Sequence, residues 1–199
     1  MLFNQKKLFL FTAVTVAVIT ALVACTSGSS ESKKTPDVIS QDNLVKRGEY
    51  LVTIAGCDDC HTPKKMGPMG PEPDMRLRLS GYRSAVPFPK VDTNVIKQGW
   101  ALVNPELTGW AGPWGASFTA NITSDATGIG NWSFDQFKKA FQQGKWKGLD
   151  GTRPLMPPMP WQNYSHMVED DVKAIFAYLK STKPINNVEP PIKPFSSLP

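Results

Sequence analysis

Cysteine and histidine are scarce in this chain: Cys25, Cys57, Cys60, His61 and His166 are all that its 199 residues contain. A tetrahedral zinc site needs four donors, and here the adjacent Cys60 and His61 would have to share one tetrahedron, which argues against it. A long apolar run is also missing. The longest, "LFLFTAVTVAVITALVA" at residues 8 to 24, has 17 residues and is short for a spanning helix. Nor is there a strong excess of one charge. The 22 basic side chains stand against 17 acidic ones, and removal of everything before Cys25 would take away Lys6 and Lys7, leaving 20 against 17, or +3. That does not suggest a nucleic-acid partner. Proline and glycine, by contrast, are plentiful at 18 and 15, and 41% of the chain is apolar. The composition predicts one folded domain with long irregular connections.

The N-terminus has the form of a processing signal, two lysines ahead of the apolar run and then Cys25. Leu22, Val23, Ala24 and Cys25 resemble a bacterial lipobox, in which the cysteine is acylated and the preceding peptide removed. The alternative is an uncleaved membrane anchor. Either places the domain outside the cytoplasm, in the bacterial cell envelope and facing the periplasm, tied to a membrane. Residues 1 to 24 are thus expected to be a lipoprotein signal peptide. Residues 25 to 40, with the polar "TSGSSESKKTPDVIS", are expected to be a flexible tether.

With Cys25 assigned to lipid, Cys57 and Cys60 remain, in "GCDDCHT" with His61 next. C-x-x-C-H is the signature of covalent haem attachment. Two thiols one helical turn apart can add to the vinyl groups of neighbouring pyrroles, and the following imidazole reaches the iron. A disulfide between Cys57 and Cys60 is possible in an oxidising compartment but gives His61 no task. A thioredoxin-like pair would want a βαβ surrounding that the sequence does not show.

The stretch "RPLMPPMPW", residues 153 to 161, then bears on the sixth ligand of the iron. Electron-carrying haems are often held by His and Met, a pairing that raises the reduction potential. Prolines fix φ and carry no N–H, so a proline-framed loop can hold a weak thioether ligand with little ordering entropy. Met159 lies between Pro158 and Pro160 and is preferred; Met156, Met167 and His166 are the alternatives. Met66, Met69 and Met75 read as loop or packing residues.

The flanking pattern is helical. Leu44, Gly48, Leu51, Val52 and Ala55 repeat at helical spacing behind a Ser40 cap, with Gly48 placed for a close helix crossing. Val172, Ile175, Phe176 and Leu179 do the same near the other end, with acids at the start and Lys180 and Lys183 at the finish. Between them, Ser133 and Gln136 form a potential capping box ahead of Phe134, Phe137 and Phe141, and Gly144 ends the segment. Trp132 and Asn121 fit either a haem propionate or a core or turn role.

The blocks "GEYLVTIAGCDDCHTP", "TANITSDATGIGNWSFDQFKKAFQQGK" and "RPLMPPMPWQNYSHMVEDDVKAIFAYLKS", in this order, resemble class I monohaem c-type cytochromes, in particular those similar to the cytochrome subunits of periplasmic alcohol dehydrogenases. The likeness covers most of residues 44 to 183. It implies a mostly α-helical domain with terminal helices crossing beside one covalent haem c, and a protein that carries electrons without catalysing substrate chemistry. It also implies thioethers at Cys57 and Cys60, a proximal ligand at His61 and a distal ligand at Met159. Relatives often have several such domains, whereas a single C-x-x-C-H here implies one haem. The chain departs from the pattern at Val168, where relatives tend to have a capping Thr or Ser.

On this reading the cytochrome domain spans residues 41 to 188, and residues 189 to 199 form a proline-rich tail. A long irregular insertion, residues 62 to 120, separates the haem motif from the third helix. Its Lys64, Lys65, Arg76, Arg78, Arg83 and Lys90 offer a basic surface for an acidic redox partner, or simply a solvated loop; its repeated "MGP" also admits methionine-based copper binding. The expected function is one-electron transfer between redox proteins, with a periplasmic dehydrogenase or a respiratory complex as partner. A peroxidase or gas sensor would need an open iron position, and a peroxidase also nearby acid or base groups, for which only His166 is spare.

Overall fold

Three amphipathic helices build the main core, each started or stopped by the residue its sequence offers. The computed structural model describes residues 40 to 198; the signal peptide, Cys25 and nearly all of the tether lie outside the described residues. Helix α1 (Gln41–Ile54) begins where Ser40 Oγ accepts Asn43 N–H at 3.3 Å. The C-x-x-C-H motif forms the short α2 (Cys57–His61). Two small helices, α3 (Thr93–Lys97) and later α5 (Trp161–Tyr164), flank α4 (Phe134–Gln143), and α6 (Glu169–Ser181) is the last α-helix. Ser133 Oγ caps α4 by accepting Gln136 N–H at 3.1 Å. Gly144 closes α4 with φ +66° in the left-handed region, and a Cβ there would lie 2.4 Å from the Trp161 ring. Val168 stands at the start of α6 with no side-chain cap, and Glu169, Asp170 and Asp171 favour that end through the helix dipole.

Leu51 and Val52 of α1, Phe137 and Phe141 of α4, and Val172, Ile175 and Leu179 of α6 are buried together with Leu79 and Ile129. Trp132 is half-buried against this cluster. Among the described residues no helix is long and apolar enough to cross a membrane.

The insertion is not irregular throughout. It contains an antiparallel hairpin, β1 (Lys64–Gly67) with β2 (Gly70–Pro73), and a three-stranded antiparallel sheet of β3 (Leu102–Val103), β4 (Gly109–Gly112) and β5 (Gly115–Phe118) in that order. One face of that sheet presents Ala111 to a second core with Val91, Ile96, Phe88 and Leu102. Tyr82, Phe88 and Phe118 pack edge to face, with centroids 4.7 to 6.3 Å apart. The proline-rich tail returns to this sheet, where Lys193 pairs with Ala116.

The basic residues of the insertion do not form an uncompensated face. Lys65 pairs with Glu72 at 3.1 Å, Arg76 with Asp74 at 2.7 Å, Arg78 with Asp58 at 2.8 Å, and Arg83 with Glu106. The acids come partly from distant sequence, so the compensation is a product of folding. Met66, Met69 and Met75 are exposed on or beside the hairpin.

Three carboxyls bind basic partners strongly enough to titrate at about 2: the exposed Glu169 beside Lys138 and Lys173, the exposed Asp150 beside Lys139 and Lys145, and the buried Asp74 beside Arg76. Unfolded carboxyls titrate near 4. Each native pKa lies below its unfolded value, so the unfolded chain binds more protons between about pH 2 and pH 4.5, and stability rises with pH across that window. The unfolding temperature is therefore expected to fall between pH 5 and pH 3, and less so in high salt, which screens exposed charges. Equal melting at the two pH values would contradict these pairings.

Candidate functional site

Helix α2 is a single turn, too short to persist alone, and neighbouring groups brace it on several sides. At its C-terminal end Lys64 Nζ donates to the carbonyls of Asp58, Asp59 and Thr62 at 2.7, 3.0 and 2.6 Å. A cation capping the last carbonyls opposes the negative end of the turn. On its flank the Asp58 carboxylate accepts from Arg78 Nε at 3.0 Å, Arg78 Nη2 at 2.8 Å and Thr62 Oγ1 at 2.6 Å. Arg78 Nη1 donates onward to Tyr178 of α6 at 2.6 Å. Burial alone would raise the Asp58 pKa; the hydrogen bonds from Arg78 and Thr62 outweigh it and hold the group below its ordinary value.

His61 is oriented from behind. Its Nδ1 lies 2.8 Å from the carbonyl oxygen of Ala120. A carbonyl only accepts, so Nδ1 carries the hydrogen and Nε2 keeps its lone pair for a metal. Burial lowers the His61 pKa despite this bond and favours the neutral ring that ligation requires. The backbone carbonyl of His61 accepts from Gly81 N–H at 2.8 Å, which holds the insertion alongside the motif.

The two thiols, three residues apart on one helical turn, share a face. Burial pushes Cys57 up to about 12 and Cys60 upward as well, helped by the neighbouring carboxylates. A redox-active C-x-x-C pair depends on a lowered thiol pKa. The chemistry here is the reverse, that of neutral thiols in an apolar setting.

Met159 sits in a loop fixed at several points. Leu155 N–H donates to the Gly144 carbonyl at 2.7 Å, and Trp146 N–H to the Arg153 carbonyl at 3.0 Å, so the loop starts against the end of α4. Ser117 Oγ of β5 donates to the Pro157 carbonyl at 2.6 Å. Beyond Met159, the Tyr164 hydroxyl donates to the Ala55 carbonyl at 3.0 Å while its ring stacks on Phe141 with centroids 4.6 Å apart. Ala55 lies two residues before Cys57, so α5 is tied to the approach to the motif. Cys57, Met159 and Met167 all pack against the main core cluster. Met156 is half-buried and His166 is exposed.

Asn121 is fully engaged within the polypeptide. Its Nδ2 donates to Ile185 O, Asn187 O and Thr127 Oγ1, and its Oδ1 accepts from Thr123. It therefore ties the segment after α6 to the loop after β5, the turn role among those weighed from sequence. The Asp58–Arg78–Tyr178 chain, the Ala120 carbonyl and Ser117 were not identified from sequence. Each acts across a long stretch of chain, and none belongs to a local motif; only the position of Asp58 inside C-x-x-C-H was a signal.

The donor set fits haem c: two neutral thiols one turn apart, an imidazole with a free Nε2, and a thioether in a fixed loop. Trp110 Nε1 and Thr119 Oγ1 add buried donors that have no hydrogen-bond partner.

No protein-family model matches the chain. Among curated proteins, it is 30% identical over 159 residues to the gluconate 2-dehydrogenase cytochrome c subunit of Pantoea cypripedii, covering 79% of this chain and 27% of that protein. It is 28% identical over 148 residues to the fructose dehydrogenase cytochrome subunit of Gluconobacter japonicus, covering 73% and 23%. With the cytochrome c subunit of the quinone alcohol dehydrogenase of Gluconobacter oxydans it shares 26% identity over 172 residues, covering 85% and 27%. The chain spans about a quarter of the length of the curated relatives it matches. The chain is thus similar, over 73% to 85% of its length, to cytochrome subunits of gluconate, fructose and alcohol dehydrogenases.

Proposed function

We propose that this chain is a non-catalytic, one-electron carrier with a single covalent haem c, serving as electron acceptor for a dehydrogenase in the periplasm and held to a membrane by a lipid on Cys25. The observation that carries the reading is the fixed His61: Nδ1 bound to Ala120 O, Nε2 free, and two neutral thiols on the same helical turn. The haem, when bound, supplies a reversible ferric–ferrous couple. The protein supplies the frame. Cys57 and Cys60 hold the cofactor covalently, the Ala120 carbonyl aims the imidazole, and the fixed loop presents Met159. Because these elements are braced independently, little rearrangement is needed between oxidation states. The relatives favour a dehydrogenase as the electron donor, since three of them are cytochrome subunits of such enzymes.

The test is the absorption spectrum of the haem-loaded protein in both oxidation states, compared with Met159→Ala and Met156→Ala. The wild type is expected to show the weak far-red band of a methionine-ligated ferric haem, lost in Met159→Ala and kept in Met156→Ala. A low-spin wild type without that band would remove Met159 as ligand in favour of a second histidine, and a high-spin wild type would remove the closed electron carrier as well.

A further inference from the structure

The inner face of the insertion's three-stranded sheet links both halves of the site. Ser117, on β5, donates to Pro157 in the methionine loop. Thr119 lies two residues further on, and its N–H continues the ladder to the Thr108 carbonyl at 2.9 Å, so it belongs to the same face as Ser117. The next residue is Ala120, whose carbonyl holds His61. Trp110 pairs directly with Ser117 across β4 and β5, and directly opposed residues also share a face. Trp110 and Thr119 thus flank Ser117, on the side of the sheet that meets the methionine loop.

Among the described residues, these are also the two whose buried side-chain polar atoms, Trp110 Nε1 and Thr119 Oγ1, have no partner. A buried donor without an acceptor costs about 1–3 kcal/mol, and native proteins seldom leave two side by side. The indole N–H can only donate, and the hydroxyl can donate. Ser117, between them, has its acceptor already, and Trp114 Nε1 donates to Ser117 Oγ at 3.3 Å. A group that satisfies both donors must carry acceptors, and an anionic carboxylate suits two neutral donors best. Asn121 cannot take that role, since its amide is engaged with Thr123, Thr127 and Ile185.

We propose that Trp110 Nε1–H and Thr119 Oγ1–H bind a propionate carboxylate of the haem, making the insertion's sheet the clamp on the cofactor's polar edge. This deepens the proposed function and rests on its haem. Two donors on one carboxylate disperse its negative charge, which otherwise favours the ferric state. They also favour the ionised over the protonated carboxyl. The insertion thereby acts on the electron-transfer properties through the cofactor's edge, without contributing a ligand to the iron.

The test is a redox titration over a range of pH on haem-loaded wild type, Trp110→Phe and Thr119→Val. Wild-type protein is first examined for haem that survives denaturation. Its absence would defeat the haem reading itself, before any variant is compared. With covalent haem present, each variant is expected to keep the far-red methionine band, to have a lower reduction potential above the redox-linked proton transition, and to shift that transition to higher pH. The double variant should shift further in both respects. Thr119→Val removes only a hydroxyl and remains informative if Trp110→Phe disturbs folding. Curves for Thr119→Val that superimpose on wild type, at equal haem content and with the band intact, would show that the donors meet water or nothing and would overturn the proposal.

Discussion

Gly48→Ala is expected to destabilise the haem-loaded protein by about 3 kcal/mol, lowering its unfolding temperature by roughly 10 °C. At this position α1 crosses α6 with no room for a side chain. A Cβ on Gly48 would lie 1.9 Å from the Ala174 carbonyl oxygen, 2.6 Å from its carbon and 2.7 Å from Tyr178 Cβ. Two of those atoms are backbone, so no rotamer change relieves the clash. The helices would have to part, and parting loosens Leu51 and Val52 from Val172 and Ile175, all buried in one cluster. It would also pull Tyr178 away from Arg78. Overpacking on this scale ordinarily costs 1–3 kcal/mol, occasionally more, and the backbone nature of the obstacle puts this site at the upper end. Thermal melting followed by far-ultraviolet circular dichroism measures it. A shift of less than about 2 °C would mean that the two helices can separate without loss, contrary to the tightness of the crossing.

That crossing was legible in the sequence because it rests on local regularities. A glycine in phase with Leu44, Leu51 and Val52 marks the face of a helix that meets another backbone, and Tyr178 packs there. Ser40, Ser133 and Gly144 likewise signalled the helix ends at which they stand, since capping needs only a few adjacent residues. The capping box at Ser133 is half made: Gln136 N–H reaches the serine, but the Gln136 side chain turns to the Lys147 carbonyl at 2.9 Å.

The insertion was illegible for the opposite reason. Its strands have two to four residues, with glycines at the ends of β4 and the start of β5, too short for an alternating pattern to emerge. Ala116 finds a partner in Lys193 of the tail, 77 residues away in sequence, which no local window contains. The candidate site divides in the same way. C-x-x-C-H and the proline-framed methionines are contiguous motifs, but the groups that orient them, Ala120, Ser117, Arg78 and Tyr164, are brought in by the fold. Sequence could name the candidate groups; their supports depend on tertiary structure.

Arg78→Leu is expected to cost about 2–4 kcal/mol of stability, more than the loss of a surface ion pair. The Arg78 and Asp58 side chains are 23% and 21% exposed, so the pair is shielded but not dry, and the value lies below that for a fully buried pair. Without Arg78, Asp58 would keep Thr62 and the nearby charge of Lys64 but lose its bidentate partner, and Tyr178 would lose its donor. The damage would come from leaving a poorly compensated carboxylate beside Cys57, not from the absence of attraction alone. Adding Asp58→Asn removes that carboxylate and is expected to recover part of the loss, giving a double variant more stable than the sum of the single effects. A measured cycle with no coupling would show that Arg78 acts through packing on Tyr178 alone. Coupling above about 1 kcal/mol would establish that the turn bearing both cysteines is fastened electrostatically to the insertion and through it to α6.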